Sequence, residues 1–520
     1  MMNQPGLEYI FHPRSIAVAG LSPDPYGTWL NQVYLDSPLK MGFKGPIYPI
    51  NPKGGHIGRL PVYASLKDVP GPVDYVISCI PARHTPKLME DCRDAGVKVM
   101  QLYTAGFAET GEPQGIDLQK RLLEIARSSG IPIIGPNCMG IYCPDSGINF
   151  SMDFPRESGP LGILCQSGGN TAYIIRSALV RGLRFSKAIS YGNACDINEC
   201  DLLEYLADDP NTRVIAAYIE GTTDGRRLVR TLTKAASKKP VVVFKGGYTE
   251  GGGRATASHT GSLAGTDSVW EGLLRQTGAI RVYSVEEMAD VLVALLRMKP
   301  PQGLNACAVG IGGGASVLAT DELERAGLKL PSIPAGTENR MKEIIPLAGG
   351  MLCNPIDAFP LVGVLLNRSL VEQPAPAGEE SPVAAAALGD RGWGDFLEAI
   401  EDWQGLDLVI FHFAFDTPPI PAGDWVATTV EPTLAAVMEC KLPMAVVFHS
   451  MATNASWQVS LTIQELCLKE RIPFFLTLRG AAQAIRKLIE FNKAYPAKLA
   501  SLQEPGGDQG NTGSYALPSH

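Results

Sequence analysis

The chain has 520 residues, of which 45% are hydrophobic and 19% charged, and a formal net charge of −8. That length accommodates about three domains with ordinary cores, and the acidic balance leaves no basic footprint for a nucleic-acid partner. Eleven cysteines without a Cys-x-x-Cys pair read as reduced thiols, no secretory signal opens the chain, and no apolar run approaches the ~20 residues of a membrane span, so a cytoplasmic protein with no membrane partner is expected.

Short apolar runs ending in Gly, Pro, Asn or Thr occupy 15–20, 47–52, 73–80, 97–106 and 131–135, with amphipathic stretches such as 85–95 and 116–129 between them. This alternation predicts an α/β fold with a doubly wound parallel sheet and ligands beyond the carboxyl ends of its strands. The first strand runs into Gly20-Leu21-Ser22, not Gly-x-Gly-x-x-Gly, and the second ends Ile50-Asn51-Pro52-Lys53. A lysine there suits a phosphate and does not reproduce the carboxylate contact to a ribose diol. Later strand ends offer Ile80-Pro81, Thr104-Ala105-Gly106 and Asn137-Cys138, a backbone-rich cleft for an extended phosphorylated cofactor. Spacing alone leaves NAD(P), and with it an oxidoreductase, open.

The pattern restarts at 161–166, with further strands at 188–192, 214–220, 240–245 and 280–283, and again at 306–311, with strands at 408–415, 444–449 and 473–478. The predicted domains are 1–145, 155–300 and 304–495, followed by a disordered tail at 503–520. A stretch rich in Pro, Ala, Gly and Glu at 372–390 reads as a mobile insertion in the third domain.

In the second domain Ser167-Gly168-Gly169 joins a strand to a helix, so free N–H groups and the positive end of the helix dipole face an anion site. The same composition also serves as a plain strand-to-helix turn. A second turn of this sort lies at 312–316, and Gly192, Asn193 and Asp196 add polar groups to the edge that carries Ser167. The stretch 239–265 combines an apolar strand, a glycine-rich loop predicted at 251–257, and His259 within Ser258-His259-Thr260-Gly261. An imidazole on such a loop suits nucleophilic catalysis, including transient phosphorylation. Glu220, at a neighbouring strand end, is positioned to fix its tautomer. A surface histidine and a solvated strand-end glutamate are the plain alternatives. No metal-ligand set is read.

Ser15-Ile16-Ala17-Val18-Ala19-Gly20, Tyr48-Pro49-Ile50-Asn51-Pro52-Lys53, Gly135-Pro136-Asn137-Cys138-Met139-Gly140, Gln166-Ser167-Gly168-Gly169, Gly192-Asn193, Tyr218-Ile219-Glu220-Gly221, Ser258-His259-Thr260-Gly261 and Asn354-Pro355-Ile356-Asp357 follow one another along the chain. In that order the set resembles the nucleoside-diphosphate-forming acyl-CoA synthetases, relatives of the succinyl-CoA synthetase alpha subunit. The resemblance implies a Rossmann-like coenzyme A-binding domain followed by two flavodoxin-like domains. It implies a relay in which phosphate cleaves an acyl-CoA, the acyl phosphate phosphorylates His259, and a swinging loop carries the group to a nucleoside diphosphate. Glu220 is then the orienting carboxylate, and Ser167, Gly168 and Gly169 the phosphate site. Gly20, Ser22, Lys53, Ile80, Pro81, Thr104, Ala105, Gly106, Asn137 and Cys138 line the coenzyme A site, and Gly192 and Asn193 face the small organic acid. No ATP-grasp domain is recognised, so ATP or GTP with Mg²⁺ falls to a separate ATP-grasp beta subunit in an α2β2 assembly. Two departures stand out: Cys165, where many relatives carry a small polar residue, and the 372–390 insertion. A non-catalytic coenzyme A-binding regulator is the alternative from another class.

Overall fold

A computed structural model describes residues 4–22, 29–260, 265–310, 312–344, 351–358, 392–414, 426–450 and 453–503. The insertion predicted at 372–390 and the tail from 504 onward lie outside the described residues. The chain divides into two compact units between Met288 and Ala289, inside the helix Val285–Arg297.

The first unit holds two sheets. Strands β1 (Ile16–Ala19), β2 (Ile47–Ile50), β5 (Tyr75–Ser78), β6 (Val99–Leu102) and β7 (Ile133–Ile134) form an all-parallel sheet in the order β2-β1-β5-β6-β7. The short hairpin β3 (His56–Ile57) and β4 (Leu60–Pro61) stands apart from it. Both faces of a parallel sheet are covered by crossover helices, so these strands are mostly apolar, Ser78 and Gln101 being the exceptions. Ala17, Val76, Met100 and Ile133 pack with Leu122 and Ala126 of the helix Pro113–Ser129 in one core.

The second sheet comprises β8 (Gly140–Tyr142), β9 (Ser158–Cys165), β10 (Phe185–Ser190), β11 (Val214–Ile219), β12 (Val241–Lys245) and β13 (Ile280–Val282), in the order β13-β12-β11-β9-β10-β8. All neighbours are parallel except β8, which runs antiparallel to β10.

The second unit is built on β14 (Ala306–Gly310), β15 (Met351–Leu352), β16 (Ile356–Asp357), β17 (Leu408–Ala414), β18 (Met444–Ser450) and β19 (Phe474–Phe475), ordered β15-β16-β14-β17-β18-β19. In all three sheets the first long parallel strand lies between the second and the third. The order of strand addition therefore reverses between the parallel pairs β1 and β5, β9 and β11, and β14 and β17, the switch points at whose carboxyl edges crevices form. Among the described residues no helix is long and apolar enough to cross a membrane.

Candidate active site

The loops above β1, β5 and β6 interlock. Gly20 has φ +102°, and a Cβ there would lie 2.9 Å from the Cys79 carbonyl oxygen, so only glycine lets the end of β1 close onto that of β5. Asn51 donates from Nδ2 to the Leu21 carbonyl at 2.7 Å and accepts from the Lys53 amide at 3.0 Å, fixing the turn from which the exposed Lys53 extends. Thr104 Oγ1 donates to the Ile80 carbonyl at 2.6 Å, which makes the loops after β5 and β6 a single wall. The amides of Gly106 and Phe107 donate to Glu109 Oε1 at 2.6 and 3.1 Å, so that backbone turn carries its own internal anion. Pro81 and Ala105 are exposed. Cys138, by contrast, is buried and its Sγ donates to the Leu102 carbonyl at 3.4 Å. Burial raises its thiol pKa and pushes that of Cys79 up to about 12, so both stay protonated. Cys138 offers the cleft backbone, not a nucleophile.

The segment after β7 joins this edge to the second sheet. The Asn137 amide donates to the Thr104 carbonyl at 3.1 Å, the Asn193 amide to the Pro136 carbonyl at 2.9 Å, and the Met139 amide to Ser190 Oγ at 3.1 Å. A Cβ on Gly192, at φ +59°, would lie 2.2 Å from the Pro136 oxygen. Gly192 and Asn193, predicted to face the acid, thus meet Asn137 and Cys138, predicted to face coenzyme A. Asn193 Nδ2 is buried without an acceptor among the described residues, and an unpaired buried donor has a free-energy cost that a ligand oxygen removes. Asp196 is committed elsewhere: its Oδ2 accepts from the Ile133 amide at 2.9 Å, and burial raises its pKa.

Above the β9–β11 pair lies the predicted phosphate site. Ser167 is the N-cap of the helix Gly168–Leu179, its hydroxyl accepting from the Asn170 amide at 3.3 Å and its carbonyl from the Thr171 amide at 3.0 Å. The amides of Gly168 and Gly169, in the first turn, lie beyond the reach of intrahelical carbonyls. Gly169 is exposed and a Cβ on it would meet nothing within 4 Å, which leaves an anion free access to the helix terminus. Across the crevice, Gln166 Oε1 accepts from the amides of Glu220 and Gly221 at 2.7 and 3.1 Å, tying both loops together. Glu220 is buried; Tyr218 Oη donates to its Oε1 at 3.3 Å, while its Oε2 has no partner among the described residues. Burial pushes Cys165 up to about 12, so this departure from the resemblance adds no thiolate. Gln166 carries a positioning role that type and spacing do not reveal; only the crossing of two loops does.

His259 lies on a helix, not a loop. The helix Glu250–Thr260 includes the glycines expected to form a flexible turn and contains His259. Thr249 Oγ1 accepts from the Gly252 amide at 3.1 Å and its carbonyl from the Gly253 amide at 2.7 Å, an N-cap that fixes the first turn, while Glu250 complements the helix dipole. Residues 261–264 lie outside the described residues. The helix follows β12 and so starts from the edge that carries Glu220 and Ser167.

The glycine turn of the third sheet is partly committed. The Gly312 amide donates to Asp357 Oδ1 at 2.8 Å, and Asp357 is buried. Gly314, in the first turn of the helix Gly313–Arg325, is exposed.

Residues 14–144 match a CoA binding domain and residues 158–295 a succinyl-CoA ligase like flavodoxin domain. Over 330 residues the chain is 38% identical to the alpha subunit of acetate–CoA ligase (ADP-forming) I of Pyrococcus furiosus, covering 62% of this chain and 71% of the relative. The chain belongs to the ADP-forming acyl-CoA ligase family. The alpha subunit of the second acetate–CoA ligase of Pyrococcus furiosus is 37% identical over 68% of this chain and 76% of its own length. Among solved structures, acetyl-coenzyme A synthetase 1 of Ca. Korarchaeum cryptofilum, in complex with phosphate and ADP, superposes with a TM-score of 0.75 at 28% identity, covering 96% of this chain and 99% of the other. Within this ligase chain the first matched domain contains Gly20 through Cys138, and the second contains Ser167, Glu220 and His259.

Proposed function

We propose that this chain is the coenzyme A-binding, phosphohistidine-carrying subunit of an acid–thiol ligase, with His259 as the nucleophile and Glu220 as its orienting carboxylate. A phosphate oxygen attacks the thioester carbonyl of an acyl-CoA; the C–S bond breaks, coenzyme A leaves as thiolate, and an acyl phosphate forms. The unprotonated ring nitrogen of His259 attacks phosphorus, the bond from phosphorus to the acyl oxygen breaks, and the acid leaves as carboxylate. Transfer of the phosphoryl group to a nucleoside diphosphate regenerates the imidazole, and synthesis of the thioester runs the steps in reverse.

The observation that carries this reading is the crevice between β9 and β11, where an open helix terminus at Gly168–Gly169 lies opposite a buried Glu220 with one carboxylate oxygen unsatisfied among the described residues. A carboxylate of that kind accepts the N–H of one imidazole nitrogen and leaves the other nucleophilic. Ser167 caps the phosphate helix, Asn193 Nδ2 supplies a donor for an oxygen of the acid, and Lys53 offers its charge to a phosphate of coenzyme A. Each sheet with its helices is taken as one domain, 1–145, 155–300 and 304–495. The nucleotide and its Mg²⁺ are assigned to an ATP-grasp partner, and the whole to the cytoplasm.

The chain is tested with coenzyme A thioesters, acetyl-CoA first, and radiolabelled inorganic phosphate. Label stable to base and labile to acid is expected on His259, and absent from His259→Asn. Labelling of that variant at the wild-type rate overturns the assignment.

A further inference from the structure

The ends of β11 and β12 meet at the hydroxyl of Tyr218. This oxygen donates to Glu220 Oε1 at 3.3 Å. A Cβ on Gly246, the first residue after β12, would lie 2.4 Å from it, so the absence of a side chain at Gly246 makes the space that the hydroxyl fills. Tyr218 and Glu220 are two residues apart at the end of β11 and share one side of the sheet. The tyrosine ring is buried and packs edge-on against Phe244, with centroids 5.1 Å apart.

Glu220 needs such a support. It lies one residue beyond the strand, where the Gln166 bond to its amide fixes the backbone but leaves the side-chain torsions free. A glutamate side chain retains substantial rotamer freedom, and a carboxylate that must receive an imidazole N–H loses effectiveness as it wanders. The Tyr218 hydroxyl holds one oxygen and leaves the other, Oε2, buried and without a partner among the described residues. Burial also raises the Tyr218 pKa, so its hydroxyl remains a donor across the working pH range.

We propose that Tyr218 is a positioning residue for phosphoryl transfer, its hydroxyl holding Oε1 of Glu220 so that Oε2 is left to accept the imidazole N–H of His259 during transfer. The proposal rests on the assignment of Glu220 and His259 above. It adds a residue that acts through Glu220, and it explains why the missing side chain of Gly246 leaves room for the phenol hydroxyl.

The test compares wild type, Tyr218→Phe, Glu220→Gln and the double variant in labelling of His259 from radiolabelled phosphate and the acyl-CoA that labels the wild type fastest. Coenzyme A affinity is measured alongside. Tyr218→Phe keeps the ring and removes the hydroxyl, so the labelling rate is expected to fall about tenfold while coenzyme A affinity stays within about twofold. In the Glu220→Gln background the same change is expected to cost nothing further, because the group it holds is already disabled. A purely structural loss would instead add to that of Glu220→Gln. If Tyr218→Phe labels at the wild-type rate while Glu220→Gln is slow, or if the two losses add, the role of Tyr218 is overturned and that of Glu220 stands. If Glu220→Gln labels at the wild-type rate, the assignment beneath it is overturned as well. Should Tyr218→Phe melt far below wild type, Gly246→Ala, whose Cβ intrudes on the same hydroxyl, supplies the comparison with the same expected outcome and the same reversals.

Discussion

Lys245 is buried at the end of β12, where its ammonium donates to the Gly246 carbonyl and lies 5.4 Å from the centroid of the Trp270 ring. Burial pushes its pKa from the ordinary 10.5 down to about 8, an effect that Glu220 partly offsets. In the unfolded chain the amine stays charged to its ordinary pKa, so between about 8 and 10.5 unfolding takes up a proton. Stability contributed by this residue therefore rises with pH across that window. Lys245→Met removes the titration. Denaturant unfolding of both proteins from pH 7.5 to 10 is expected to show the wild type gaining roughly 1–3 kcal/mol relative to the variant as pH increases. A difference independent of pH would mean that the buried amine titrates as in water. At this scale the sequence reveals groups whose chemistry is intrinsic to type and spacing: a histidine among small donors, a strand-end glutamate, a Ser-Gly-Gly turn. It does not reveal Gln166 or Tyr218 as supports for Glu220, because the first acts across a gap of 54 residues and the second only through the direction of a side chain.

The helix Glu250–Thr260 shows how an element escapes notice. Three consecutive glycines at 251–253, each costing about 1 kcal/mol relative to alanine in a helix interior, read as a loop. They fall in the first turn, where the Thr249 cap and Glu250 supply what propensity withholds. Thr249→Ala is expected to cost the helix about 1 kcal/mol. Amide exchange between 254 and 258 should accelerate by about fivefold, with little movement of the global unfolding transition. Unchanged exchange would show that packing, not the cap, holds this helix. The glycine turn at Gly312 is the converse case. Its composition resembles that at Ser167, yet here Asp357, 45 residues away, takes up the Gly312 amide. Local sequence does not show which amides of such a turn are already paired.

Over the whole molecule, three restarts of alternating strand and helix are legible because parallel strands buried on both faces are largely apolar. Strand order is not, since it depends on pairings between distant segments; nor are short antiparallel strands such as β8 and β15, which are too brief to show periodicity. The carboxyl edges above β1–β5 and β9–β11 assemble within one unit through the bonds from 136–139 to 190–193, which places the proposed coenzyme A and phosphate sites on one continuous surface. On the reading proposed above, the chain holds a thioester, a phosphate and a transferable phosphoryl group. Its sequence has no Gly-x-x-x-x-Gly-Lys-Ser/Thr loop. On the same reading, phosphorylated His259 discharges to a nucleotide held by the proposed ATP-grasp partner. A permanent partner of this kind should bury more than about 2,000 Å² in total. The purified chain is therefore expected to bind coenzyme A and to label His259 from an acyl-CoA and phosphate, yet to form no thioester from ATP, coenzyme A and an acid. Adding an ATP-grasp subunit should restore synthesis, and His259→Asn should abolish it again. Synthesis by the isolated chain at a rate that the added subunit does not change would place the nucleotide site on this polypeptide and end the proposed division of labour.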